Sequence, residues 1–216
     1  MAKAKYTKQK FIDDYIDYVL ENNKNPSSIY SFCKHLGTEE SKFYEHFSSL
    51  DALEKEIWVG IFNDTISRIH TDSVYAEYSV REKLLAFYYT MVELMKSKRS
   101  YIRFVTKKNK IYGPLSPYLS EIKSKYNDYV KELVKEGVGT GEIESRSMLN
   151  DQYHKGFWIQ LVFLIDFWAG DESENFDKTD AAIEKAVNLS FDLLAHNPID
   201  SLLDFGKFIF QNKIMH

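Results

Sequence analysis

The residues with the widest chemical reach in this chain lie in 26–47, PSSIYSFCKHLGTEESKFYEHF, and the chemistry they suit is recognition rather than bond making. At a 3.6-residue period, Ile29, Phe32, Cys33 and Leu36 share one apolar face of a short helix. Ser27 or Ser28 can cap its start. Gly37 supplies the positive φ that lets a helix stop and the chain turn. Phe43 and Phe47, four apart, mark the inward side of a second short helix. Two short helices joined by a glycine turn can lay the second in a major groove, where hydroxyls and cations meet phosphates and base edges. Covalent chemistry has far less support. The chain holds no Gly-rich phosphate loop, no Cys-x-x-Cys and no His-Glu-x-x-His. The histidines are dispersed, and His154 near Asp151 reads as a surface contact without a third ligand or a nucleophile. No catalytic residue, metal site or cofactor is assigned, and enzymatic activity is not expected.

The elements that must position this pair of helices are themselves helical. Residues 8–22 carry Ile12, Ile16 and Val19 on one face with Phe11 and Tyr15 beside them, and the Asn-rich run before Pro26 ends that helix. A longer helix starts near Ser49 or Asp51 and carries Leu53, Ile57, Ile61, Ile66 and Ile69. Ser79-Val80-Arg81-Glu82 is a capping box opening a helix with Leu84, Tyr88, Met91 and Met95 on one stripe. Ser116-Pro117 predicts a helix that buries Leu119, Ile122, Tyr126, Tyr129 and Leu133 and stops at Gly137, with Gly137, Gly139 and Gly141 as a flexible connector. Two apolar helices follow at 151–169 and 179–195, then an amphipathic tail with Leu202, Leu203, Phe205, Phe208 and Ile209. β signals are few, so the fold class is all-α.

The run Ser28-Ile29-Tyr30-Ser31-Phe32-Cys33, then Leu36-Gly37-Thr38, then Phe43-Tyr44-Glu45-His46-Phe47 resembles the TetR/AcrR transcriptional regulators. The Tyr-x-His-Phe ending and the glycine seven residues before the tyrosine are its most specific parts. The resemblance implies a three-helix helix-turn-helix domain over 1–50 and a larger helical ligand-binding and dimerisation domain over 51–216. By motif position it implies that Ser28, Ser41, Lys42, Tyr44 and His46 face operator DNA, with the recognition helix at 39–46. It also implies a homodimer in which the helices at 151–169 and 179–195 form a four-helix bundle with a partner copy. The expected interface residues are Trp158, Leu161, Ile165, Trp168, Ala186, Leu189 and Leu193. Independently, the first of these helices is apolar on nearly all sides, so a single neighbour cannot cover it. A small apolar ligand is expected in the body against Tyr88, Met91, Phe104, Tyr126 and Trp158, because aromatics and methionine adapt to varied shapes.

Charge marks a second reading. Glu39 and Glu40 stand where the family carries serine and a small or basic residue, and Leu50 stands where it carries a lysine. Residues 11–50 hold Lys24, Lys34 and Lys42 against seven acids, whereas the first ten residues hold Lys3, Lys5, Lys8 and Lys10 and no acid. Phosphate neutralisation supplies most non-specific DNA affinity. The alternative is therefore a TetR-fold protein without operator binding that takes a lipid or hydrophobic metabolite. Between Lys96 and Lys110 there are seven basic residues and no acid, with Arg99, Arg103 and Lys107 on one helical stripe. That stripe is either a solvated face or a site for an anionic head group or membrane surface.

Composition bounds the rest. A hydrophobic share of 44% lets 216 residues bury a sizeable core, and a net charge of −4 excludes a basic nucleic-acid coat. The single cysteine precludes an intramolecular disulfide and fits a reducing compartment. No apolar run approaches the roughly 20 residues of a membrane-spanning helix, and no apolar segment follows the lysine-rich start as in a signal peptide. A cytoplasmic location without stable membrane insertion is expected.

Overall fold

The computed structural model describes residues 6–109, 117–146 and 152–195. Every regular element among them is helical: α1 Lys8–Asn22, α2 Ile29–Leu36, α3 Glu40–Tyr44, α4 Leu50–His70, α5 Val80–Lys96, α6 Arg99–Asn109, α7 Ser120–Thr140, α8 Tyr153–Gly170 and α9 Asp177–Ala195, with short 3-10 turns at Tyr75–Glu77, Pro117–Leu119 and Glu174–Phe176. The caps follow the sequence. Thr7 accepts from Lys10 N at α1, Ser49 from Ala52 N at α4, and Ser79 with Glu82 closes the capping box of α5. Helices α1–α3 form a head around Phe11, Tyr15, Phe32 and Phe43, none of which reaches solvent. The long α4, with Leu53, Ile57, Trp58 and Phe62 buried, runs from the head into a body where it packs on α5 and α7, while α8 and α9 pack on each other.

Three expectations are corrected. Helix α7 does not stop at Gly137; it continues to Thr140, and only Gly141 takes the left-handed conformation, at φ 82°. Gly137 serves close approach instead. A Cβ there would lie 2.8 Å from Ile143 Cδ1, and Ile143 N donates to Gly137 O at 3.0 Å. The adjacent Glu142 turns its carboxylate onto the start of α5, accepting from Val80 N at 3.0 Å, where the helix dipole favours a negative charge. Pro117 opens a 3-10 turn rather than the α-helix, which begins at Ser120. Tyr129, expected to be buried, is only half-buried.

Helix α8 has two faces. Trp158, Leu161, Ile165 and Trp168 are all at or below 2% exposure and pack inside their own subunit. The other side of the same helix carries Ile159 and Phe163, which are 60% and 50% exposed. The large tryptophans thus fill the body, and Ile159 and Phe163 face outward. Leu189 and Leu193 of α9 are exposed and Ala186 is half-buried, as an outer face requires. The amphipathic segment with Leu202, Leu203, Phe205, Phe208 and Ile209 lies outside the described residues, as do Lys3, Lys5, Ser116 and Asp151.

Candidate nucleic-acid interface and the body behind it

The head is built so that one short helix stands outward. Ser28 Oγ accepts from Ser31 N and Ser31 Oγ accepts from Ser28 N, both at 3.1 Å, which fixes the entry to α2. Its exit is a Schellman turn: Gly37, at φ 67°, donates to Lys34 O at 3.3 Å, and Thr38 N donates to Cys33 O at 3.0 Å. Helix α3 has five residues, too few to persist alone. It is held by Phe43, whose ring stands edge-on to Phe11 at 5.4 Å and to Phe32 at 6.3 Å and tilts on Phe47 at 5.6 Å.

With Phe43 buried, Ser41, Lys42 and Tyr44 point to solvent, and Tyr44 is 54% exposed. Ser28 is exposed at the start of α2. His46 is different. It is half-buried, tilts on Phe11, and its Nε2 lies 3.0 Å from Tyr6 O, so that nitrogen carries the proton and donates to the chain preceding α1. Tyr6 in turn donates from its hydroxyl to Leu36 O at 2.6 Å and stacks on Phe11. His46 therefore belongs to the clasp that closes the head. Sequence reasoning passed over Tyr30, an outward tyrosine on α2 at 61% exposure. Its signal was present, since Tyr30 falls off the apolar stripe formed by Ile29, Phe32, Cys33 and Leu36.

Three cations of the head are engaged by acids. Lys42 Nζ meets Glu45 Oε1 at 2.5 Å, Lys8 meets Glu56 at 2.6 Å, and Lys10 meets Asp14 at 2.8 Å. Ser41 Oγ donates to Glu39 Oε2 at 3.3 Å. Leu50 is half-buried against the core at the first position of α4.

In the body, Tyr88, Tyr126 and Trp158 come together. The hydroxyls of Tyr88 and Tyr126 lie 2.6 Å apart, Tyr88 donates to Gln160 Oε1 at 3.1 Å, and Trp158 packs on the Tyr126 ring at 6.2 Å. Burial pushes both phenols up. Met91 is buried on α5, and Phe104 sits half-buried on α6. Three hollows lie elsewhere: a groove of about 340 Å³ between α4, α5 and the start of α9, a groove of about 480 Å³ between the head and α7, and an apolar void of about 10 Å³ beneath α5 and α7. None of these three is lined by Tyr88, Met91, Phe104, Tyr126 or Trp158.

The basic stripe of α6 is a structural seam. Arg99 donates to Trp168 O at 2.9 Å and Asp171 O at 2.5 Å, closing the end of α8, and its guanidinium lies 4.7 Å over Trp168 and 4.4 Å over Phe176. Arg103 pairs with Glu172 at 2.9 Å, and Lys96 pairs with Glu93 at 2.6 Å. Lys107 remains exposed. Two of the three stripe residues thus hold the α8–α9 corner, where Asp171 accepts from Ser173 and Thr179.

A family profile described as tetracyclin repressor-like, C-terminal domain, matches residues 83–209, more than half of the chain. The protein belongs to the TetR family. Its described elements have the all-α architecture of that family. Solved structures share the fold across head and body. A TetR-family transcriptional regulator from Syntrophomonas wolfei is 14% identical over 88% of this chain and 95% of its own, with a TM-score of 0.66. One from Shewanella sp. PV-4 is 12% identical over 90% of this chain and 100% of its own, with a TM-score of 0.61. A Rhodococcus sp. RHA1 protein of unknown function is 14% identical over 90% and 98%, with a TM-score of 0.60. No curated protein matches the chain. Among the described residues of this TetR-family chain, no helix is long and apolar enough to cross a membrane, and no cluster of three histidines, cysteines or acids could hold a metal.

Proposed function

We propose that this protein is a cytoplasmic, homodimeric regulator that binds operator DNA through a head at 1–50 and answers to a small apolar ligand in a body at 51–216. The observation that carries the DNA reading is the orientation of α3. Its single buried residue, Phe43, turns Ser41, Lys42 and Tyr44 outward beside the exposed Ser28. Tyr44 and Ser28 suit phosphate, and Lys42 suits phosphate or a base edge. Tyr30 joins this set, and His46 supports it from behind. The second copy covers Ile159 and Phe163 of α8 with Leu189 and Leu193 of α9. These four exposed side chains lie on two helices that pack on each other, and each repeats at helical spacing. The ligand enters near the Tyr88–Tyr126–Gln160 hydroxyl chain, where a few convergent polar groups sit in an aromatic setting. Entry requires these side chains to part, which would favour one of two arrangements of the dimer.

A second reading, a ligand binder without operator binding, draws on the acids around α3. Lys42 is neutralised by Glu45, and Glu39 and Glu40 stand at the helix start. Fluorescence anisotropy of the full chain on DNA upstream of its own gene, taken over a salt series, tests both. Saturable binding that weakens with salt supports the regulator. Binding no stronger than to unrelated duplex at low salt gives first place to the second reading.

A further inference from the structure

The head meets the body at a buried carboxylate. Glu54, on α4, is 4% exposed. Its Oε1 accepts from the Tyr15 hydroxyl on α1 and, at 2.7 Å, from Asn25 Nδ2 in the turn between α1 and α2. Taking a carboxylate out of water is strongly unfavourable unless donors compensate. The aromatic packing of Phe11, Tyr15 and Phe32 gives no reason for a charge at this place. Its effect is geometric: because two donors share one oxygen, both α1 and the approach to α2 are referenced to a single atom of α4.

A third group lies alongside. Tyr101, on α6, is 1% exposed and packs edge-on against Tyr15, with ring centroids 6.5 Å apart. Its hydroxyl is buried without a hydrogen-bond partner, an unfavourable arrangement for a donor taken out of water. Burial pushes the Tyr101 phenol up, and the Glu54 charge pushes it further, so Tyr101 lies within reach of that carboxylate's field. Helix α1 packs against α6 as well as α4, so displacement of α6 is felt at this cluster.

We propose that Glu54 is the positioning residue that holds the head in register with the body, and that the Tyr101 hydroxyl is a reserve donor to Glu54, engaged when α6 shifts and idle in the arrangement described here. Donor exchange at one carboxylate gives two discrete arrangements instead of a continuous drift. The exchange thereby ties the position of α1 and the approach to α2 to the position of α6 within one subunit. The consequence for DNA rests on the regulator reading above; the latch itself operates without DNA.

Hydrogen exchange on the full chain without DNA tests it. In Glu54→Leu, the amides of α1–α3 exchange roughly tenfold or more faster, while those of α8 keep their rate. Glu54→Gln, which retains an acceptor oxygen, regains most of the protection. Tyr101→Phe slows exchange in α1–α3 about fivefold, because the competing arrangement is lost. That slowing vanishes in the Glu54→Leu, Tyr101→Phe double variant. Acceleration spread equally over α8 overturns the positioning role. A Tyr101→Phe effect that persists without Glu54 overturns the exchange. Should Glu54→Leu fail to fold, Tyr101→Phe decides alone: unchanged or faster exchange in α1–α3 overturns the proposal. Failure of the wild type to bind upstream DNA refutes the regulator reading and leaves these outcomes intact.

Discussion

Lys42 on the outer face of α3 and Glu45 at its C-cap close a 2.5 Å ion pair, both side chains half in solvent. The hydrogen bond with Glu45, reinforced by its charge, raises the Lys42 ammonium above its ordinary value, so the cation is present but already answered. A surface pair of this kind contributes little to folding, because solvent screens it. Its consequence is for binding, since a phosphate must displace Glu45 to reach the ammonium. Glu45→Gln is expected to leave the melting temperature nearly unchanged, tighten DNA binding, and steepen the salt dependence by about one phosphate contact. A salt slope identical to wild type would show that Lys42 does not meet the backbone.

Assembly separates two faces of one helix. Phe163→Glu or Leu189→Glu places a charge on the exposed apolar face and should yield folded monomers in light scattering with unchanged helical circular dichroism. Leu161→Ala, two residues from Ile159 on the opposite side of α8 and 1% exposed, should instead cost about 2–5 kcal/mol by leaving a cavity in the body. Monomers from Leu161→Ala and intact dimers from Phe163→Glu would reverse the assignment of faces.

These faces mark where sequence reasoning reached and where it stopped. Helices α2, α4 and α5 were legible because their caps are local: Ser28, Gly37, Ser49 and Ser79 each act within a few residues. Helix α8 was legible as an element, but its orientation was not, because an all-round apolar sequence carries no phase; only packing decides that Trp158 turns inward and Ile159 outward. Gly137 illustrates the same limit. Its role depends on Ile143, six residues away across the Gly141 turn, and a glycine by itself does not distinguish a stop from a close contact. Arg99 looked like part of a charged stripe because its partners are backbone carbonyls on α8, which leave no trace in side-chain spacing.

Asp171 gives a pH test of the α8–α9 corner. Burial alone would push its carboxyl up, but hydrogen bonds from Ser173 and Thr179 outweigh that and bring it down to about 2, from an ordinary 3.8. A carboxyl depressed in the folded state stabilises above its unfolded value, and that contribution is lost as pH falls through the folded one. Thermal melts should therefore fall between about pH 4 and about pH 2 by more in wild type than in Asp171→Asn, and the variant should melt lower at pH 7. Parallel curves for the two proteins across this window would exclude the corner as an acid-sensitive element.

The hydroxyl chain of the body has a direction that mutation can read. Gln160 Oε1 only accepts, so Tyr88 donates to it, and Tyr126 must then donate across the 2.6 Å contact to Tyr88. Tyr126→Phe removes the first donor and leaves Tyr88 still bonded to Gln160, a loss of about 1 kcal/mol. Tyr88→Phe removes the middle of the chain. Gln160 then loses its donor, and Tyr126 retains only the longer 3.3 Å contact to Phe157 O, so the cost rises to about 1–3 kcal/mol. Urea unfolding of the two variants orders them directly. If the body opens around this chain for a ligand, Tyr88→Phe should also change the ligand's affinity more than Tyr126→Phe does, because the same hydroxyl both closes the core and meets the incoming group. Equal losses from the two variants, in stability and in affinity, would show that the hydroxyls act independently.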